Sequence, residues 1–343
     1  MTGKTRTNIS RRTALAGAAG AAAFGILRWH RADAAEFVYK LGTDATTTMP
    51  LYAFAAQAAA KVNKESDGRL KVQVYPNSQL GTDTQMIAQV RSGAMELLHI
   101  GDNILAQLVP EANFAAIPFA FSGYEQAWSA MDGPLGKYIH AQIEKKLGLK
   151  VFDKDWEAGL RHVLTISRVV RTPADMKGLK LRVPMAPITV ATFKALGASP
   201  TPIDWTEVYS ALQTHLVDGL EAGFFAANAE KFFEVVKHVS LTAHQTTDYS
   251  LVANGAAFGR LPKNLQEILM RNFNEAAALE RAATAKADVV LQPKLESQGV
   301  TFVKPDRAAF KEVIRKAGLY AKWRDTYGAK GFTLLEQAVG KLT

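Results

Sequence analysis

Residues 175–184 read DMKGLKLRVP, and this stretch has the pattern of a short β-strand between two turns. Apolar Leu179, Leu181 and Val183 alternate with basic residues, which is the period-two pattern of a strand with one buried face. A glycine precedes this run and a proline ends it, as turn chemistry predicts. The stretch therefore predicts a strand that places Arg182 at the edge of a loop.

On both sides of this strand, helical and strand patterns alternate along the chain, which predicts an α/β fold. Predicted strands cover 37–41, 70–75 and 96–100 and recur near Arg161, Leu179, Gly219 and Tyr249, while predicted helices cover 50–64, 82–91, 124–147, 187–196, 205–216, 306–326 and 333–342.

One helical pattern is much longer than the others. It opens at Pro262 and lasts to about Ser297, with Gly299 as its cap. Pro293 should kink or break it. Because each helical residue adds about 1.5 Å, this helix exceeds one small domain and could span two lobes.

The first 35 residues have the order of an export signal. The stretch SRRTAL at 10–15 is a twin-arginine pattern, an Ala/Gly-rich run covers 16–27, and ADA at 32–34 resembles a cleavage site. Ala14 departs from the bulkier apolar residue favoured there, and a disordered basic N-terminus is the alternative. The pattern predicts export to the periplasm by the twin-arginine route and removal of residues 1–35.

The amino-acid composition excludes several classes of functional site. The chain has 343 residues and no cysteine, which excludes disulfides, thiolate nucleophiles and cysteine metal sites. Without the first 35 residues, which carry six basic side chains and one acidic side chain, the formal net charge falls from +9 to +4. No basic run in the remainder indicates nucleic-acid binding, while a mild positive bias suits an anionic small ligand.

Motifs of common enzymes are absent from the sequence. We find no G-x-S-x-G elbow, no G-x-G-x-x-G after a strand, no Walker loop and no H-E-x-x-H pair. The sequence therefore predicts no catalytic residues, no metal site and no cofactor. Arg161 and Arg182 remain, each in or beside a strand, and such arginines could bind a carboxylate through two N–H groups. The alternative is that they are solvated or paired with Asp or Glu.

Eight short motifs, in register through most of the chain, give the sequence a family resemblance. The chain resembles the solute receptors of tripartite ATP-independent periplasmic (TRAP) transporters, in the branch with the dicarboxylate and sialic acid receptors. The motifs are VYPNSQLG at 74–81, AIPF at 116–119, DMKGLKLRVP at 175–184, LGASPTP at 196–202, EVYSALQ at 207–213, VDG at 217–219, KFFEV at 231–235 and LP at 261–262.

The resemblance implies an α/β, two-lobed periplasmic-binding-protein-like fold with crossover strands and a long helix spanning both lobes. It places residues 36–158 and 248–286 in lobe I, and residues 159–247 and 287–343 in lobe II. In this family the lobes close over a small organic acid.

The resemblance also implies the substrate-binding residues. Arg182 would make a two-pronged contact with the ligand carboxylate, Arg161 would be a second cationic contact, and Trp205 would be an aromatic neighbour or a helix-capping residue. The remaining candidates lie in loops, where capping and turn roles are equal alternatives. They are Asp44, Gly101, Asp102, Asn103 and Gln79, with Asp83 in the same loop as Gln79 and Thr82 as a helix cap.

The chain departs from the branch after the VDG motif. The branch usually shows Gln-Glu-Asn-Pro there, whose Asn contacts the ligand, whereas this chain has LEAG at 220–223. Ala222 cannot replace that hydrogen bond, so we expect a ligand that is less polar on this side, with Phe224 lining the pocket or lying in the core. Another branch holds a metal with a Glu-Trp pair at this point. Because Glu221 precedes alanine here, no metal is predicted.

The sequence thus predicts a non-enzymatic periplasmic receptor that delivers an organic acid to TRAP membrane permease subunits and does not itself span the membrane. A periplasmic enzyme exported in folded form, a receptor for an ABC transporter and a sensor subunit are the alternatives. The ligand class stays open among dicarboxylates, sugar acids, aromatic acids and keto acids.

Overall fold

The computed structural model of the chain describes Thr2–Gly3 and residues 35–343. The predicted twin-arginine pattern, apolar run and cleavage site lie outside the described residues. All elements given below belong to the part of the chain that begins at Ala35, which forms one compact unit.

Two six-stranded sheets organise this unit. Their strands, in chain order, are β1 (Phe37–Gly42), β2 (Leu70–Tyr75), β3 (Leu97–Gly101), β4 (Leu149–Val151), β5 (Trp156–Glu157), β6 (Arg161–Thr165), β7 (Lys180–Val183), β8 (Ser199–Pro202), β9 (Gly219–Gly223), β10 (His238–Gln245), β11 (Asp248–Asn254) and β12 (Thr301–Val303).

The strand order shows where the chain passes between the sheets. The first sheet has the order β2-β1-β3-β11-β4 with β5 paired to β11, and the second has the order β12-β10-β6-β9-β7-β8. The chain therefore leaves the first sheet between β5 and β6, and it returns between β10 and β11. Both passages are short, so the backbone between the sheets has few residues in which to bend.

Helices cover the sheets. They are α1 (Pro50–Glu65), α2 (Asp83–Ser92), α3 (Asp102–Leu105), α4 (Tyr124–Met131), α5 (Pro134–Leu147), α6 (Pro187–Ala195), α7 (Val208–Gln213), α8 (Phe224–Ala229), α9 (Gly255–Arg260), α10 (Lys263–Ser297), α11 (Arg307–Lys316), α12 (Leu319–Tyr327) and α13 (Ala329–Val339), with 3-10 turns at Pro110–Ala116, Pro173–Met176, Trp205–Glu207 and Phe232–Glu234. None of the described helices is both long and apolar enough to cross a membrane.

Helix α10 connects the cores of the two sheets. Leu269 and Phe273 lie in the apolar core beside the first sheet, while Leu291 and Leu295 lie in a core beside the second. Its 35 residues span roughly 50 Å. The helix continues through Pro293, so the predicted break does not occur. That proline is exposed and lies four residues before the helix ends.

Three predicted helices are divided in the structure, and one of them, over 306–326, forms α11 and α12 on either side of Gly318. The stretch predicted as one helix over 124–147 forms α4 and α5, because Pro134 begins a new helix after Gly133. The stretch 205–216 forms a 3-10 turn followed by the short α7. Strand β10 was not predicted, although it pairs with β6 over His238–Gln245.

The packing of the C-terminal helices can be compared with the predicted lobe boundaries, which stay a prediction. Phe332 of α13 lies edge-on to Phe114, with ring centroids 6.5 Å apart, and Tyr320 of α12 donates a hydrogen bond to the Pro118 carbonyl. These contacts place α12 and α13 against the segment that contains the 3-10 turn Pro110–Ala116, and α13 also packs on α4 and α5. The predicted assignment of all of 287–343 to lobe II therefore does not describe how these two helices pack.

Candidate functional site

A cleft lies where the loops of both sheets meet the two crossovers. It holds about 560 Å³ of empty space, including its open mouth. The residues that line it are Asp44, Ala45, Met49, Asp83, Asn103, Ile104 and Tyr249 from the first-sheet side, Arg161, Arg182, Pro184, Trp205, Ala222, Gly223 and Ala226 from the second-sheet side, and Ala158 and Thr247 from the crossovers.

Arg182 is a buried cation at this cleft. Arg182 is 2% exposed. Its Nε and Nη2 atoms donate hydrogen bonds of 3.0 and 2.8 Å to the carbonyl oxygen of Ile203. Within the described residues, no carboxylate oxygen lies within 4 Å of its guanidinium. Burial lowers the pKa of Arg182 to about 10, which leaves the side chain charged at neutral pH. A fixed buried charge without a close counter-ion favours an anion in the cleft.

Arg161 has a different environment. Its Nε and Nη2 atoms each lie 2.6 Å from a carboxylate oxygen of Glu221, so the two groups form a bidentate ion pair. Nε2 of His244 lies 3.0 Å from the same carboxylate. Burial would raise the pKa of Glu221, but Arg161 and His244 lower it to about 2. Arg161 therefore lines the cleft with most of its charge already neutralised.

The β-sheet register explains this pair. Arg161 on β6 lies opposite Gly223 on β9, two residues from Glu221. Residues two apart on a strand share a face of the sheet, so Arg161 and Glu221 are diagonal neighbours. The pairing with an acid corresponds to the alternative that the sequence left open for strand arginines.

Trp205 combines both of its expected roles. The guanidinium of Arg182 lies 5.3 Å from the centre of its ring, and the ring lines the cleft. Its indole N–H donates to Glu230 at 3.0 Å. Trp205 is also the first residue of the 3-10 turn that Asp204 caps. The aromatic ring therefore holds the Arg182 side chain in place.

Two acidic residues lie on the first-sheet side of the cleft. Oδ2 of Asp44 accepts a hydrogen bond of 2.8 Å from the Tyr249 hydroxyl, and burial raises the pKa of Asp44 to about 6. Burial and the charge of Asp44 raise the pKa of Asp83 well above its usual range. Thr82 caps the helix that Asp83 begins, and its reciprocal hydrogen bonds with Gln85 agree with the predicted cap.

The matching family model covers residues 41–324 and is described as "Bacterial extracellular solute-binding protein, family 7", or DctP. The chain belongs to this family. The resemblance to TRAP receptors is thereby confirmed, and the two-sheet architecture confirms the predicted fold class.

Relatives of the DctP family with named ligands are similar over most of their length. The chain is 36% identical over 262 residues to the 2,3-diketo-L-gulonate-binding periplasmic protein of Escherichia coli, covering 75% of this chain and 79% of that protein. A sialic acid-binding periplasmic protein of Vibrio cholerae is 27% identical over 289 residues, covering 84% and 89%.

Solved DctP-type structures superimpose on the structure of this chain. A TRAP periplasmic solute binding protein from Polaromonas sp. JS666 with D-erythronate has a TM-score of 0.84 at 28% identity, covering 89% of this chain and 99% of that one. A protein of the same type from Sulfurospirillum deleyianum with succinate has a TM-score of 0.83 at 27% identity, covering 89% and 99%.

The structure brings together six of the ten predicted binding residues in this DctP-type cleft. These are Arg182, Arg161, Trp205, Asp44, Asn103 and Ala222. The side-chain amide of Asn103 makes no hydrogen bond within the described residues, so it is available to a ligand. Whether the six contact a ligand stays a prediction.

Four predicted residues lie elsewhere. Gln79 is exposed in the turn after β2, and Gly101 ends β3, where it precedes α3. Asp102 is buried behind the cleft, where it accepts a hydrogen bond of 2.6 Å from Ser250. Phe224 packs in the core, stacked on His162 with ring centroids 5.7 Å apart, because the strand turns into α8 at this residue and directs the ring inward. The expectation that Phe224 lines the pocket is therefore replaced by its core alternative.

The lining residues that sequence reasoning missed include two with polar side chains, Tyr249 and Thr247. Both lie at the return crossover into β11, which reaches the cleft only because it is inserted beside β3. The alternation around Tyr249 predicted a strand but not its place in the sheet. Among residues 35–343, no three His, Asp or Glu side chains converge on a possible metal position.

Proposed function

We propose that this cleft binds an organic acid anion through its carboxylate group and that the receptor delivers it to a TRAP-type permease. The observation that carries this proposal is the buried charge of Arg182. Of the five N–H groups of a guanidinium, two donate to Ile203 and three are left for another partner. A ligand carboxylate at Nη1 and Nη2 would satisfy the remaining donors and neutralise the charge.

Binding would be coupled to closure. The cleft is lined from both sheets, and two crossovers and α10 connect those sheets. A ligand that contacts both walls stabilises the closed arrangement over an open one, because its contacts with the second wall form only on closure. The closed surface would then present the loaded receptor to the permease.

We further propose a periplasmic location, reached through the twin-arginine route, and a function without catalysis. The receptor family and the periplasmic E. coli relative support the location. The order of motifs in residues 1–35 supports the export route. For the absence of catalysis, the test is incubation of the ligand with the receptor followed by NMR, which should return the ligand chemically unchanged; a converted product would indicate an enzyme.

The central experiment is titration calorimetry of the mature protein with organic acids, guided by a thermal-shift screen. Arg182→Ala should weaken carboxylate binding by roughly 100-fold or more, because two charge-assisted hydrogen bonds are lost. Arg171→Ala is the matched control, since that arginine is exposed and its side chain makes no ion pair within the described residues. Equal affinities of Arg182→Ala and the wild type would refute the proposal, as would stabilisation only by amines or neutral sugars.

A further inference from the structure

The cleft offers charge neutralisation for one carboxylate rather than two. Of the charged residues that line it, two are basic, and Arg161 is already in a bidentate pair with Glu221. Arg182 has no carboxylate partner within 4 Å among the described residues. A ligand that carries a second carboxylate would find no second unneutralised cation at the lining.

The opposite wall of the cleft is acidic. Asp44 follows β1 and Asp83 begins α2, so two elements of the first sheet direct carboxyl groups into one space. Oδ1 of Asp83 is buried without a hydrogen-bond partner, and one oxygen of Asp44 is taken by Tyr249. The charged groups that act on this pair are Asp204 and Glu230, which are acidic, and Arg182. The oxygens of Asp44 and Asp83 that have no partner make this wall rich in hydrogen-bond acceptors.

We propose that Asp44 and Asp83 select acids with one carboxylate and several hydroxyl groups, and that they exclude dicarboxylates. This inference rests on the proposed function, in which Arg182 holds the carboxylate. The hydroxyls of a polyhydroxy acid donate hydrogen bonds to the oxygens of Asp44 and Asp83. A second ligand carboxylate in the same place would set an acceptor against an acceptor, and Asp44, which is ionised at pH 7.5, would repel its charge. The side-chain amide of Asn103 can donate a hydrogen bond to a ligand hydroxyl or accept one from it.

The test compares acids that differ in one group. Galactonate and galactarate differ only in a terminal CH₂OH group, which is a second carboxylate in galactarate; D-erythronate and meso-tartrate form the same pair with four carbons. In calorimetry at pH 7.5, at least one monocarboxylate should bind about tenfold or more tightly than its dicarboxylate partner. Equal or tighter binding of the dicarboxylates overturns the inference, and so does failure of both monocarboxylates to bind.

Variants of Asp44 and Asp83 test whether these two residues cause the selection against dicarboxylates. Asp83→Asn and Asp44→Asn should each raise the affinity for the dicarboxylate relative to the monocarboxylate several-fold. Asp67→Asn is the control, because Asp67 is exposed in the turn after α1 and asparagine tolerates its φ of 52°. An unchanged ratio in both cleft variants shows that these residues do not select. The wild-type comparison does not depend on whether a variant folds.

The two proposals fail in different ways. If dicarboxylates bind as tightly as their partners and Arg182→Ala abolishes the binding of both, the carboxylate receptor stands and the selection is wrong. If Arg182→Ala binds every acid as the wild type does, the proposed function itself is wrong.

Discussion

Two arginines of the same sheet show how strongly surroundings determine a residue's role. Arg161 and Arg182 are both buried at the cleft, on β6 and β7. The first is paired with Glu221, whereas the second faces the cleft with backbone and aromatic neighbours. We therefore propose Arg182 as the residue that binds a ligand, whereas Arg161 is held by its ion pair with Glu221.

The ion pair of Arg161 leads to a prediction about stability. Arg161→Ala should reduce the free energy of unfolding by about 3–5 kcal/mol, since it leaves the carboxylate of Glu221 buried without its main partner. Chemical denaturation of the ligand-free protein measures this. The double variant Arg161→Met, Glu221→Leu should recover most of the loss. A free energy of unfolding for Arg161→Ala equal to that of the wild type would contradict the structural role.

At the scale of elements, one buried pair connects α5 to the segment before β5. Nε2 of His140 lies 2.9 Å from Oδ1 of Asp155, and Asp155 is 1% exposed. Burial would lower the pKa of His140, but the charge of Asp155 and its hydrogen bond outweigh it, with further contributions from Asp102 and Asp153, and raise this pKa to about 9. The protonated imidazole therefore stabilises the contact between the two elements.

This raised pKa predicts a dependence of stability on pH. The stabilisation is complete below the unfolded value of about 6.5 and is lost as the pH rises through 9, with a magnitude of order 3 kcal/mol. Urea unfolding at several pH values between 6 and 10 measures it, and Asp155→Asn should flatten the curve. His215→Asn, at an exposed histidine, should retain the wild-type slope. A wild-type curve that is already flat would show that the pair contributes nothing.

At the scale of the molecule, the cleft depends on how the chain divides between two sheets. Among the described residues, the passages near Ala158 and Thr247 and the helix α10 run from one sheet to the other. Because these connections are short or helical, relative motion of the two sheets should occur as a hinge rotation.

Ligand closure predicts two linked measurements. At a ligand concentration of 100 times Kd, binding should stabilise the protein by about 2.7 kcal/mol and raise the melting temperature by several degrees. Small-angle scattering should show a smaller radius of gyration under the same conditions. Arg182→Ala at those concentrations should show neither change. Tight binding by calorimetry with an unchanged radius of gyration would exclude closure.

Local patterns predicted the elements well where the signal lay within a few residues. Thr82 caps α2 as the sequence suggested, and α10 begins after Pro262 as expected. The pattern failed at Gly133, where a continuous apolar period concealed the start of a new helix. For Phe224 the sequence left two roles open, because an apolar residue suits both a pocket wall and a core.

The sequence by itself determined the family, the α/β alternation and the long helix, and it led to the proposal of Arg182, because these depend on motifs and periodicities within short stretches. Only the tertiary structure decided that Glu221 neutralises Arg161, that Asp44 and Asp83 face Arg182 across one cleft, and that Tyr249 reaches it. Those relations join residues between 39 and 205 positions apart, as for Tyr249 and Asp44. Electrostatic interactions depend on distance in space, and sheet register and strand insertion create that proximity only when the chain folds.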